Sequence, residues 1–307
     1  MQFAIVGAGA VGCFLGSRLQ ASGQEVLLIH HNKSVVARIR RNGVFVREQS
    51  GEISRQQMAV KQSLSTNDDP DFVILTVKAF DTDEAARSQL KSVELNTTVL
   101  TIQNGLGNTE TLRRYLPPRS IIAGSTTEGV TRIAPGVVNY SGTGTTWIGE
   151  LDGRLTQRCS IIQAILVESG LEANVSKNIL GVLWLKAIVN SAINPISAIA
   201  HANNVELLEA PDLLNACNRV VREGMKIATA NGILLPASPT SVLKRVLTST
   251  AANKSSMLQD IEGGRQTEIR QLNGVLSQAA KKLGLPAPNN LLLTRLILGL
   301  EALRHRV

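Results

Sequence analysis

The hydrophobic and polar positions divide this chain into two halves of different period. Residues 2 to 6 (QFAIV) form an apolar run ending at glycines, Cys13 to Ser22 read as helix, and Glu25 to Ile29 (EVLLI) form a second apolar run. Strand, turn, helix and strand within about thirty residues make a βαβ unit. Apolar runs at Phe72 to Val77, Thr98 to Ile102 and Ile121 to Ala123 then alternate with helical stretches near Thr82 to Lys91 and Asn108 to Tyr115. That alternation predicts a parallel, doubly wound sheet.

Between Gly124 and Gly149 the pattern changes to short, glycine-punctuated strands, expected as a hairpin or meander closing one edge of the sheet. A helix from about Thr156 to Ser169 and a short strand near Glu172 to Val175 follow. Beyond Ser176 the pattern is helical to the end, with breaks expected at Pro195, Pro211, Pro236, Pro239 and Pro286. The expectation is an α/β protein: a Rossmann-type doubly wound domain over 1–176 and an all-α domain over 177–307.

One helical stretch breaks its own pattern. Ile179 to Ala200 is almost wholly apolar, yet Lys186, Asn190 and Asn194 recur at intervals of four. Four residues of helix advance ~400°, so the three side chains drift only about 80° and share one face. Pro195 is expected to end or kink the helix just after Asn194. The stretch has roughly the length of a bilayer span, but a central lysine, two asparagines and a proline favour a buried helix of a soluble domain. Burying a polar group without partners costs roughly 2–7 kcal/mol, so the row is either satisfied by neighbouring backbone or lines a cleft. In a cleft, desolvation would bring the lysine toward neutrality, as a general acid requires, and the carboxamides would orient a ligand.

The N-terminal turn Gly7-Ala8-Gly9-Ala10-Val11-Gly12 matches GxGxxG, with a strand before it and a helix after it. In that setting the glycines allow a tight turn, close approach of backbone to a pyrophosphate and close helix packing, while the helix start binds phosphate. An Asp or Glu at the end of the second strand would hold the ribose 2′-hydroxyl of NAD. Here the strand runs into His30-His31-Asn32-Lys33-Ser34, with Arg38 beyond and no carboxylate. NADP is therefore favoured, with His31 and Lys33 as candidate contacts to its 2′-phosphate. Lys78 (VKAF) and Asn104 (QNG) follow two later strands, at the strand ends where open α/β sheets bind ligands.

Composition narrows the remaining choices. The net charge is +8, but the basic residues are scattered and aromatics make up 3% of the chain, too few for a base-stacking surface. A small anionic substrate or phosphorylated cofactor suits that field better than nucleic acid. Cys13, Cys159 and Cys217 lie far apart without a Cys/His cluster, so neither disulfides nor a metal site is expected. The N-terminus reads at once as strand and turn, without the marks of a secretory signal, so a cytoplasmic protein is expected.

Taken in order, GAGAVG, VKAF, QNG, WLKAIVNSAINP, Asn204 and SSMLQDIEGGRQTEI resemble the ketopantoate reductase (2-dehydropantoate 2-reductase) family over essentially the whole chain. The resemblance implies a Rossmann domain followed by a helical domain. It also implies reduction of 2-dehydropantoate to (R)-pantoate by NADPH, in pantothenate and coenzyme A biosynthesis. In these terms Gly7 to Gly12 hold the pyrophosphate, and Lys78 and Asn104 contact the cofactor. Lys186 donates the proton, and Asn190, Asn194, Asn204 and Ser256 bind substrate. Glu268 touches cofactor or Lys186; as a carboxylate it is also the natural counterpart of that ammonium. Two departures stand out: His31 replaces an arginine found in some members, and Asp81 a frequent glutamine. The rival readings are a related NADP-dependent reductase of another branched 2-oxo acid, and a non-catalytic NADP sensor. The apolar segment NNLLLTRLILGLEAL would serve inside the domain or across a dimer, so monomer and homodimer both fit.

Overall fold

The computed structural model describes residues 1–93, 97–142 and 144–304. The chain forms two compact units, Met1–Gln103 with Asn108–Ile179, and Asn104–Gly107 with Leu180–Val307.

The first unit begins β1 (Gln2–Val6), α1 (Ala10–Ala21), β2 (Glu25–Ile29), α2 (Lys33–Asn42). There follow β3 (Val44–Arg47), β4 (Ile53–Gln56), β5 (Ala59–Lys61), β6 (Phe72–Leu75) and α3 (Thr82–Gln89). Next come β7 (Thr98–Thr101), α4 (Asn108–Leu112) and β8 (Ile121–Thr126). It ends with β9 (Gly129–Ala134), β10 (Val137–Gly142), β11 (Thr145–Gly149), α5 (Gln157–Glu168) and β12 (Glu172–Val175). The main sheet has the order β12-β11-β8-β7-β6-β1-β2-β5. Every pairing in it is parallel except that of β11 with β8. β6, β7 and β8 are buried along their whole length, as expected of parallel strands covered on both faces. After β1 the chain builds outward through β2 and β5, then returns to β6 on the other side. The crevice at the carboxyl ends of β1 and β6 is therefore the topological switch point.

The stretch from Gly124 to Gly149 differs from the hairpin or meander expected to close one edge of the sheet. β8 and β11 do pair in the main sheet, but β9 and β10 leave it to form a second sheet of order β4-β3-β10-β9. The attraction is α1: Tyr140 stacks on Phe14 with ring centroids 4.6 Å apart, and the Arg18 guanidinium lies over both rings while pairing with Glu48 at 2.7 Å. Val44, Val46 and Val138 are buried in the same cluster as Phe14 and Leu15. The second sheet thus covers a helix face that would otherwise meet water.

The second unit contains α6 (Ile179–Ala200), α7 (Asn204–Glu209), α8 (Pro211–Ala230) and α9 (Pro239–Ser249). α10 (Ser256–Glu262), a 3-10 turn at Ile269–Gln271, α11 (Asn273–Lys282) and α12 (Pro288–Arg304) complete it. α6 is long and apolar enough to cross a membrane by length and composition. Its residues Ala187, Ile188, Val189, Ala192, Ile193 and Ile196 are nevertheless buried in the core of the helical unit. α12 buries Leu293 and Ile297 in that core and leaves Leu292, Leu296 and Leu303 exposed.

Pro195 does not end α6, which runs five residues past it. A proline lacks the N–H that would bond the carbonyl four residues back, here Ser191 O. The Asn273 side chain replaces that donor, its Nδ2 lying 2.8 Å from Ser191 O.

Candidate active site

In the first unit the glycine turn is clamped between two strands. Gly7 N donates to Ile29 O of β2 at 3.0 Å, and the Thr76 hydroxyl beyond β6 donates to Gly7 O at 2.7 Å. Gly7 has φ +116°, and a Cβ there would stand 2.6 Å from Val77 N. At Gly12 a Cβ would stand 2.0 Å from Gly7 O. These two glycines are demanded by the protein's own packing. Gly9 is different: a Cβ built there meets nothing within 4 Å. Gly9 caps α1, and no side chain bonds the first turn of that helix. An open space before an uncapped helix start, with backbone bared by Gly9, fits a dinucleotide pyrophosphate. Ala8, Ala10 and Val11 complete the turn.

At the end of β2, the Asn32 side chain caps α2, accepting from Ser34 N at 2.9 Å and Val35 N at 3.4 Å. His30 and His31 stack with centroids 4.8 Å apart. Burial first, then the charges of His31 and Arg132, hold the His30 pKa down to about 4. His30 is thus neutral and accepts from Asn32 N at 3.1 Å, while His31, Lys33 and Arg38 nearby in the chain are exposed. The backbone of Lys78 turns just beyond β6, with Asp81 N donating to Lys78 O at 2.8 Å. β2, β1 and β6 being adjacent and parallel, His31, the glycine turn and Lys78 share the sheet's carboxyl edge. Gln103 has a structural task at that edge, its amide tying Val77 O to the Thr82 hydroxyl at 2.9 and 2.8 Å.

In the second unit α6 presents Lys186, Asn190 and Asn194 at successive turns. Lys186 is partly exposed, yet burial of its ammonium surroundings lowers its pKa from 10.5 to about 8, against the charge of Glu268, which raises it. Glu268 is itself buried, and its Oε2 accepts from Asn104 Nδ2 at 3.4 Å. Two turns along, Asn194 Nδ2 lies 3.5 Å from Ser256 Oγ. Ser256 is the exposed first residue of α10; its neighbour Ser255 is buried, caps that helix and meets Ser197 Oγ at 2.5 Å. Lys186 and Glu268 thus gather with Asn104, and Asn194 with Ser256, while Asn190 lies between them on the helix.

Asn204 is fixed by partners of its own. Its backbone N donates to Asn253 O at 3.1 Å, and its Nδ2 to Thr250 Oγ1 at 2.7 Å. Thr250 Oγ1 already donates to Val246 O at 2.7 Å, so it must accept from Asn204, which fixes the orientation of the amide. The Asn204 Oδ1 is buried with no hydrogen-bond partner. A buried acceptor left bare costs about 1–3 kcal/mol, which a ligand hydroxyl could recover. Thr250 and Asn273 carry no sequence signal of their own, since each works through a partner distant along the chain. Among the described residues, no group of three or more His, Cys, Asp or Glu could hold a metal ion.

Comparison with known proteins bears on the fold and the family. Residues 3–153 match the family model for ketopantoate reductase PanE/ApbA, and residues 178–301 the model for its C-terminal part. The 2-dehydropantoate 2-reductase of Pyrococcus horikoshii is 38% identical over 304 residues, covering 99% of this chain and 98% of the relative. The solved PanE/ApbA family ketopantoate reductase of Ralstonia eutropha JMP134 superposes with a TM-score of 0.90 at 30% identity, covering 99% and 100% of the two chains. The ternary structure of D-mandelate dehydrogenase with NADH and anilino(oxo)acetate superposes with a TM-score of 0.94 at 29% identity, covering 99% of each. An open, uncapped helix start at Gly9 and a match to the family along nearly the whole chain have one account: this protein belongs to the ketopantoate reductase family, an oxidoreductase family of Rossmann-type fold.

Proposed function

We propose that the chain reduces 2-dehydropantoate to (R)-pantoate with NADPH, as a cytoplasmic step toward pantothenate and coenzyme A. The observation that carries this reading is Lys186, whose ammonium is brought to a pKa of about 8 beside a buried carboxylate and on one face with two carboxamides. A ketone receiving hydride becomes an alkoxide and needs a proton at that oxygen, which a group titrating near the working pH supplies well. The bound dinucleotide supplies the hydride. Residues 1–176 act as the cofactor domain, with Gly7, Ala8, Gly9, Ala10, Val11 and Gly12 holding the pyrophosphate. Lys33 and His31 meet the 2′-phosphate, and Lys78 and Asn104 steady the remainder of the cofactor.

Residues 177–307 act as the substrate domain. Lys186 protonates the reacting oxygen, and Glu268 keeps enough charge beside it for a proton to remain at neutral pH. Asn190, Asn194 and Ser256 orient the carboxylate and hydroxyl, and the bare Asn204 Oδ1 accepts from a substrate hydroxyl. The partner is a small 2-oxo acid, with neither nucleic acid nor membrane, and the enzyme works as a monomer or homodimer.

An NADPH-oxidation assay over a panel of 2-oxo acids tests this. A site that hydrogen-bonds the 4-hydroxyl of ketopantoate should reject 2-oxoisovalerate, which lacks it, by a factor of at least about 100 in kcat/KM. Equal or higher activity on 2-oxoisovalerate would defeat the assignment, and no turnover on any 2-oxo acid would favour a sensor. D-mandelate dehydrogenase was solved with NADH. The absence of a carboxylate after β2 nonetheless supports NADPH here, and NADH at equal kcat/KM would contradict that part.

A further inference from the structure

We infer that Asn273 is a positioning residue for the substrate row on α6, acting by filling the hydrogen-bond gap that Pro195 opens beneath Asn190 and Asn194. The inference rests on the proposed function, in which that row binds the substrate. Ser191 lies between the two asparagines and is fully buried, so its carbonyl, deprived of a donor by Pro195, has no water to turn to. Asn273, also fully buried, spends one Nδ2 hydrogen on Ser191 O at 2.8 Å and the other on Asn290 Oδ1 at 3.0 Å.

The orientation of this amide is imposed from further away. Both oxygens of the buried Glu223 carboxylate accept two donors: Oε1 from the N and Nδ2 of Asn290 at 2.8 and 2.7 Å, and Oε2 from the N and Nδ2 of Asn289 at 3.0 and 2.7 Å. A carboxylate can only accept, so Asn290 must turn Oδ1 toward Asn273, and Asn273 must answer with its NH₂ group. The chain from α8 through α12 and α11 therefore ends as a fixed donor on the α6 carbonyl that Pro195 deprives of its own. A proline turn left unsatisfied would be free to kink, and side chains on either side of it would swing.

A double-mutant cycle between positions 195 and 273 tests this. In Asn273→Ala the KM for ketopantoate should rise by about tenfold or more, while the NADPH dissociation constant, read by fluorescence titration, stays within about twofold. Pro195→Ala restores a backbone donor to Ser191 O, so the double variant Pro195→Ala/Asn273→Ala should return to within about threefold of Pro195→Ala alone. A merely structural Asn273 would lower the unfolding temperature yet give additive KM effects, and additivity would overturn the inference. If Asn273→Ala does not fold, the double variant is compared with Pro195→Ala directly; an unequal KM, or a double variant that fails to fold, counts against the inference. Wild-type enzyme inactive on ketopantoate would instead defeat the functional reading, and the cycle would be run on whichever 2-oxo acid the panel identifies.

Discussion

Lys186 carries its charge at a cost to stability. Its folded pKa of about 8 lies below its ordinary value of 10.5, so between these pH values the unfolded chain binds the proton that the folded chain has released. Stability then rises with pH across that window, and the full penalty applies below about 8. Lys186→Met should consequently unfold at a higher urea concentration than wild type at pH 7, with the gain gone near pH 10.5; urea titrations at both pH values check the sign. The same variant should lose ketopantoate turnover by about a thousandfold or more while still binding NADPH, which a single-turnover assay and a binding titration separate. Reduction by wild type should decline as pH rises through about 8, because the donor must hold its proton. Glu268 raises that pKa, so Glu268→Gln should move the alkaline limb of the kcat/KM profile to lower pH. A limb that moves upward or stays put would show that the two groups are not electrostatically linked. The lysine–carboxamide row was legible in the sequence because a polar side chain every fourth residue stands out against an apolar helix. The bare Asn204 oxygen was not, because it depends on how Thr250 spends its single hydrogen.

At the level of elements, the glycine turn separates what the fold requires from what a ligand requires. A methyl at Gly12 would press to 2.0 Å from Gly7 O, forcing α1 off β1, whereas one at Gly9 meets no protein atom. Gly12→Ala should therefore lower the unfolding temperature by several degrees. Gly9→Ala should leave it within about a degree while weakening NADPH binding by about tenfold or more. Thermal melts with and without NADPH read both, and a Gly9→Ala variant with unchanged affinity would remove the turn from the cofactor site. The βαβ beginning and the strand–helix alternation were legible because period and length identify such elements directly. The partner of an exposed strand is harder to foresee. Alternation identifies β9 and β10 as strands, but their departure to a second sheet follows from the aromatic and arginine face of α1, which pairs with residues more than a hundred positions away. Pro195 poses the same difficulty: it reads as a helix end or kink until a side chain 82 residues beyond Ser191 supplies the missing donor.

For the molecule as a whole, the limit of a one-dimensional reading lies in how the chain is shared between units. A boundary near Ser176 follows from the point where strands cease, but the helical unit also includes Asn104–Gly107, four residues that follow β7 and read in the sequence as an ordinary Asn-Gly turn. They are well fixed there. Leu106 is buried in the helical core, its N–H donates to Gln271 O at 2.9 Å, and Gly105 holds φ +80° with only 2.5 Å between a would-be Cβ and that same carbonyl. Burying one leucine contributes about 1.5–3 kcal/mol and a net backbone hydrogen bond about 0.5–1.5 kcal/mol, a large part of the roughly 5–15 kcal/mol by which a domain is stable. A fragment beginning at residue 177 lacks both, and keeps Glu268 without the Asn104 amide that donates to it. Such a fragment should unfold at a lower urea concentration than the helical unit within the full chain, with a broad transition and exposed apolar surface that binds dye. In the intact protein, Leu106→Ala should reproduce part of the loss, about 2–4 kcal/mol. A fragment as stable and cooperative as the intact chain would show instead that the four residues are passengers, and that a single cut near residue 176 does divide the molecule.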